Sequence, residues 1–186
     1  MTGVQTCALP ILELEVMEFN ELDDTAKEKA RDWYRQGSEF PFFDEYLSSI
    51  RAFCDEFGVS LKDWSIGDGR NTYLKTDAQP HNFRGYKLKD AEILSKKQLT
   101  GFCGDEITDY FYYEFKQSGD AFYSFQQALE HMLITIRNDV ESYYSDESID
   151  EMLEVNGYEF YPNGKIYHES RRGSCLLTDL IYQQKN

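Results

Sequence analysis

The stretch ITDYFYYEFKQSGDAFYSFQQALEHMLITIRNDVESYY, residues 107–144, decides the fold class. Ile107, Tyr110, Phe111 and Phe115 recur three or four residues apart, the spacing that lines one side of a 3.6-residue helix. Phe122, Phe125, Leu129, Met132, Leu133, Ile136, Val140 and Tyr143 repeat it over about six or seven turns. Two amphipathic helices are therefore expected here, the second long.

Toward the N-terminus, Phe43, Tyr46, Leu47, Ile50, Phe53, Cys54 and Phe57 mark the clearest helix of the chain, with Gly58 as its stop. Before it, Ala26, Ala30 and Trp33 mark a shorter helix that Asp23 or Asp24 caps and that ends before Gly37. Leu12, Leu14 and Val16 alternate with Glu13 and Glu15, which predicts a strand with one wet face over Leu12–Phe19. Residues 59–76 alternate around Gly67–Asn71 and predict two strands joined by a turn. Residues 77–104 read as mostly loop, with one helix near Leu88–Lys96. Toward the C-terminus, Ser148 is positioned to cap a short helix through Val155. Tyr158–Tyr161 and Lys165–Tyr167 flank Pro162-Asn163-Gly164 and predict a hairpin. The expected fold is α+β, predominantly helical, with helices packed on a small antiparallel sheet. Residues 12–168 read as a single acidic domain and 169–186 as a C-terminal tail in which Leu176, Leu177, Leu180 and Ile181 offer a docking helix.

The first eleven residues, MTGVQTCALPI, look like the translation of a sequencing adaptor joined to a metagenomic fragment and are set aside as a leader. The natural sequence is then expected to start near Leu12, with Met17 a candidate initiator. Of the remaining cysteines, Cys54 lies on a helical apolar stripe, Cys103 in a Gly-flanked loop and Cys175 in the tail. No C-x-x-C pair exists, so a reducing, cytoplasmic compartment is expected. No stretch approaches the roughly 20 apolar residues of a membrane span.

Enzyme signatures are sparse. His81, His131 and His168 lack the spacing of a zinc site, and no nucleophile elbow, Walker loop or dinucleotide fingerprint occurs. Asp105 with Glu106 lacks the ligand spacing and central glycine of a calcium loop. Neither a cofactor nor a metal is expected, and the chain reads as a non-enzyme.

Charge is the strongest non-random feature. The 186 residues hold 34 acids against 19 Lys and Arg, a formal net charge of −15. Such a chain is expected to repel free nucleic acid. Residues 101–160 alone carry 14 acids and 2 bases, Lys116 and Arg137. Asp105, Glu106, Asp109 and Glu114 accompany the first helix of this half, and Asp139, Asp146, Glu147, Asp150, Glu151 and Glu154 cluster around the end of the second and the short helix after it. Helical neighbours three or four apart lie about 5–6 Å from each other, so such ridges approach the charge density of a nucleic-acid backbone. The plain alternative is that these acids form the wet faces of ordinary helices. The scarcity of i, i+4 cations favours a functional surface. Tyrosines accompany the acids: Tyr112 or Tyr113 must lie outside the main stripe, and Tyr143 and Tyr144 are candidate anchors, since a ring offers large contact area at low entropic cost. The competing role for these rings is core filling.

The run EFNELDDTAKEKARDWYRQG, Glu18 to Gly37, resembles the opening of an uncharacterised group of phage and prophage proteins, in which a strand leads through F-x-E-L into an A-K-x-x-A-R-x-W helix. Phe19, Glu21, Leu22, Ala26, Lys27, Ala30, Arg31 and Trp33 fit that form. The hairpin YEFYPNGKIYH, residues 158–168, is similar to one that ends many members. The resemblance covers about a fifth of the chain and implies a phage origin without lending catalytic residues. By analogy, small acidic phage proteins without enzyme motifs bind host machinery. The function expected is thus a non-enzymatic, anti-CRISPR-like inhibitor whose acidic residues mimic nucleic acid in the basic channel of a host defence complex. The alternatives are an accessory protein that binds nucleic acid or a host protein through the basic segment Arg70, Lys75, Arg84, Lys87, Lys89, Lys96 and Lys97, and a small enzyme built around a deep polar pocket.

Overall fold

A computed structural model describes residues 15–66 and 72–167. The expected start of the first strand, the Gly67–Asn71 turn, Arg70, His168 and the tail with Cys175 lie outside the described residues. The chain is predominantly helical α+β, as its periodicity predicts. It forms two compact units, residues 39–145 and a smaller one assembled from residues up to Ser38 and from Asp146 onward. Neither boundary carries the Gly, Pro or Ser run of a linker, which is why the sequence reads as one domain.

The larger unit holds helix α2 (Phe43–Asp55), the antiparallel strands β2 (Leu61–Ser65) and β3 (Tyr73–Thr76), and helices α3 (Leu88–Ser95), α4 (Ile107–Ser118) and α5 (Ala121–Tyr143). The α4–α5 connection is built by three residues. Gly119 takes φ +70° and its N–H donates to the Phe115 carbonyl at 2.9 Å, closing α4 in the left-handed manner that glycine permits at little cost. Asp120 then caps α5 by accepting the Tyr123 N–H at 3.0 Å. The two helices return on each other as a helical hairpin.

Phe53 fills the centre of this unit. It is fully buried, stacks on Phe125 of α5 at 5.3 Å and 11°, and meets Phe57 and Phe111 edge-on at 5.2 and 5.8 Å. Phe83 closes the cluster against Phe57 and Phe125. Cys54 is buried beside it, and burial pushes its thiol up to about 12, which keeps it protonated.

The smaller unit holds helix α1 (Asp24–Gly37), capped by Asp23, whose carboxylate accepts the Ala26 N–H at 2.8 Å, and helix α6 (Asp146–Val155). Helix α1 runs through Gly37, which the sequence places just beyond its end. Strand β4 (Glu159–Phe160) pairs antiparallel with β1 (Met17–Glu18). The predicted C-terminal hairpin forms on the other side of β4: Tyr161 N–H donates to the Lys165 carbonyl and Tyr167 N–H to that of Glu159, both at 2.8 Å. Phe19, Leu22, Ala26, Ala30, Tyr34, Ile149, Leu153, Phe160 and Ile166 make its core.

Truncating Phe53 removes the ring that joins α2 to α5. Phe53→Ala is expected to cost about 3–5 kcal/mol in urea unfolding, whereas Ile93→Ala, at a side chain 60% exposed, should change stability by less than about 0.5 kcal/mol.

Candidate functional site

The twelve residues singled out from the sequence divide between the two units. Asp105, Glu106, Asp109, Glu114, Asp139, Tyr143 and Tyr144 belong to the larger one, and Asp146, Glu147, Asp150, Glu151 and Glu154 to α6 of the smaller. A continuous acidic surface from 105 to 154 is therefore not established by either unit alone.

Four of the ten acids hold the fold together. Asp150 receives a two-pronged bond from Arg31 of α1, with Nε and Nη2 each at 2.7 Å. Asp146 pairs with Arg35, and Arg31 Nη1 lies 3.7 Å away. These ion pairs join α1 to α6, and the Asp150 bonds foremost hold the Arg31 guanidinium above its ordinary value. The scarcity of cations within residues 101–160 thus overstates the free charge on α6, because its counter-ions arrive from residues more than 100 positions earlier. Asp105 accepts the backbone N–H groups of Leu99, Thr100 and Gly101, each at 2.9 Å, and so ties down the loop before α4. Its partial burial would raise its pKa, but these donors outweigh the burial and hold the carboxyl below the usual carboxylate range. Asp139 accepts the hydroxyl of Tyr46, which burial and then this carboxylate raise well above the ordinary phenol value. Cys103 Sγ donates to the same phenol oxygen at 3.7 Å.

The tyrosines separate in the same way. Tyr143 is half-buried, edge-on to Phe40 at 5.5 Å and to Tyr144 at 5.0 Å, so both pack on the core of the larger unit. Tyr112 is half-buried against that core, whereas Tyr113 is 57% exposed. Tyr113 is thus the ring outside the stripe.

A second group, which the sequence reading leaves unassigned, gathers on α4 and α5. Tyr110 stacks flat on His131 with ring centroids 3.9 Å apart and 3° between planes. Tyr113 lies 6.4 Å from Tyr110. On α5, Tyr123, Gln127, Glu130, His131 and Ile134 fall at helical spacing on one stripe, with Tyr123 46% and Ile134 43% exposed. Desolvation and the neighbouring Glu114 raise the Tyr110 phenol. Glu114 lies beside the Tyr110 phenol, Asp109 precedes Tyr113 by one turn of α4 and Glu130 precedes Ile134 by one turn of α5, and none of the three makes an ion pair among the described residues. The signal for this face was present in the sequence: Tyr123 and Ile134 are large apolar residues off the buried stripe of α5.

Three of the six described cations of the basic segment are paired within the larger unit. Lys75 pairs with Asp63 at 3.1 Å, Lys96 with Glu92 at 2.7 Å, and Lys97 with Glu56. Arg84, Lys87 and Lys89 are exposed. A cavity of about 380 Å³ lies among Phe83, Tyr86, Phe115 and Phe122, and Asp120, its carboxylate, is occupied in capping α5. Among the described residues, no three His, Cys, Asp or Glu side chains converge as a metal site, and no helix is long and apolar enough to cross a membrane. Comparison with protein-family models, curated proteins and solved structures finds no match.

Two measurements check these assignments. A double-mutant cycle on Arg31→Ala and Asp150→Ala should return a coupling on the order of 1 kcal/mol, because the bond is bidentate and only partly exposed. The lowered pKa of Asp105 contributes stability that is full above the unfolded carboxyl value, about 3.9, and is lost as pH falls through the folded value. Asp105→Asn should therefore be less stable at pH 7 and lose stability less steeply than the parent below about pH 4, as read by urea midpoints across pH.

Proposed function

We propose that the chain is a non-enzymatic, phage-encoded inhibitor that binds a host defence complex in an anti-CRISPR-like role, with the outer face of the α4–α5 hairpin as its contact surface. The observation that carries this reading is the exposure of Tyr113, Tyr123 and Ile134 amid Asp109, Glu114 and Glu130, acids that lack ion pairs among the described residues. Exposed aromatic rings framed by like charge suit a partner with a cationic groove: the acids steer the encounter and the rings supply the desolvated centre. The charge of the whole chain acts in the same direction.

The structural acids set a limit on the mimicry. Asp105, Asp139, Asp146 and Asp150 act inside the fold, so attraction falls to Glu106, Asp109, Glu114 and Glu130 on the larger unit and to exposed Glu147, Glu151 and Glu154 on the smaller. The accessory reading retains Arg84, Lys87 and Lys89 as exposed cations, whereas Lys75, Lys96 and Lys97 already have carboxylate partners.

Phage-challenge assays in hosts that carry a defined CRISPR or restriction effector test the proposal. Where the parent chain inhibits, Asp109→Lys, Glu114→Lys and Glu130→Lys together should abolish inhibition while thermal unfolding stays cooperative. Tyr113→Ala with Tyr123→Ala should weaken effector binding by about 2 kcal/mol or more, and binding of the parent should fall steeply with salt. Full inhibition by the triple reversal refutes the surface.

A further inference from the structure

The smaller unit contains a solvent-open pocket of about 430 Å³ between α1 and the hairpin turn, lined by Lys29, Trp33, Asn163, Gly164, Lys165 and Ile166. Backbone fixes its walls. Gly164, at φ +81°, lies so close to α1 that a Cβ there would stand 2.8 Å from Ala26 Cα and closer still to its carbonyl oxygen. The Gly164 N–H donates to the Tyr161 carbonyl at 2.8 Å, and Asn163 Oδ1 accepts the Lys165 N–H at 3.0 Å. Trp33 is held by Tyr158 and Phe160 at 5.6 and 6.3 Å, with planes 67° and 80° apart, so neither ring stacks flat on the indole.

The cations of α1 divide sharply. Arg31 and Arg35 are engaged by Asp146 and Asp150, and Lys27 lies over the Phe19 ring at 5.5 Å. Lys29 and, on the hairpin, Lys165 make no ion pair among the described residues. In a chain with 34 acids and 19 bases, two such lysines beside an indole in one open pocket are the reverse of the prevailing electrostatics.

We infer that this cavity binds a small anion carried on a planar ring, a nucleoside monophosphate, with its base against Trp33 and its phosphate neutralised by Lys29 and Lys165. A volume of this order accommodates one such ligand. Lysine acts on phosphate as a point charge, and two ammonium groups balance the nearly double charge of a phosphate monoester, where a carboxylate needs only one. Every base has a π-face, so the site discriminates on phosphate more than on base identity. The cavity shares no residue with the α4–α5 face, so its occupancy and the inhibitor role are tested separately.

The full-length chain carrying Trp64→Phe leaves Trp33 as its one tryptophan, and its emission reports the cavity directly. Titration with AMP at low salt should give a saturable change in Trp33 emission. Adenosine, inorganic phosphate and phenylacetate should each bind roughly tenfold more weakly or worse. Lys29→Glu and Lys165→Glu, both at surface positions, should each weaken AMP by roughly tenfold with cooperative unfolding retained. Isothermal calorimetry on the parent chain provides a second readout that does not depend on the indole. The inference is overturned if AMP binds by neither method, if either charge reversal leaves its affinity unchanged, or if phosphate alone or phenylacetate binds as tightly as AMP.

Discussion

Everything in the larger unit is arranged around the stack of Phe53 on Phe125. That contact joins the most regular helix of the chain to the longest, and Phe57, Phe83 and Phe111 gather on it edge-on or tilted. Aromatic rings bury large areas, and their quadrupoles favour such offset and perpendicular contacts, so these five phenylalanines form the centre of the core while Tyr110 and Tyr112 of α4 pack at its edge. With the core complete, α4 and α5 have rings to spare on their outer face. The exposure of Tyr113 and Tyr123 follows from that surplus, and large exposed apolar groups in one region call for an account beyond packing.

Electrostatics sort the acids by the same logic. A carboxylate that accepts two guanidinium N–H bonds, or three backbone N–H groups, has its charge spent on structure, and an incoming cation would have to compete with partners already in place. Asp150 and Asp105 are of this kind. An acid such as Asp109 or Glu130, exposed and without an ion pair among the described residues, retains its field for a ligand. Net charge alone therefore ranks surfaces poorly: the α6 cluster is dense in sequence, yet two of its five carboxylates neutralise α1.

What the sequence made legible was local. The periods of α2, α4 and α5 could be read because each buries one stripe, and the hairpin at residues 158–167 because Pro162-Asn163-Gly164 interrupts alternation. The division into two units was not legible, since the smaller unit is closed by contacts between residues near 30 and near 150, and no composition shift marks a boundary at 38 or 145. The pairing of Arg31 and Arg35 with α6 is hidden for the same reason: helices supply charge compensation locally at i, i+4, while here it spans a separation of more than a hundred residues. The loop-tying role of Asp105 was equally out of reach, because a carboxylate that collects backbone N–H groups leaves no side-chain partner in the sequence to be noticed. Tyr110 and His131 show the intermediate case, each readable on its own helix but not as a stacked pair.

The two candidate surfaces differ in a way that bears on their roles. The α4–α5 face presents exposed rings and acids to solvent, and such a face gains affinity by entering a partner's groove. The pocket at Trp33 is the converse, since two lysines and an indole line one solvent-open depression, where charge and a flat ring select the ligand. A chain with a strong negative field disfavours any anion at long range, so an anionic ligand must gain its affinity at close quarters, where the field of two nearby ammonium groups exceeds a screened distant background. The close approach of Gly164 to Ala26 and the bond from the Lys165 N–H to Asn163 serve this end, because they place the turn backbone beside α1 before any ligand arrives.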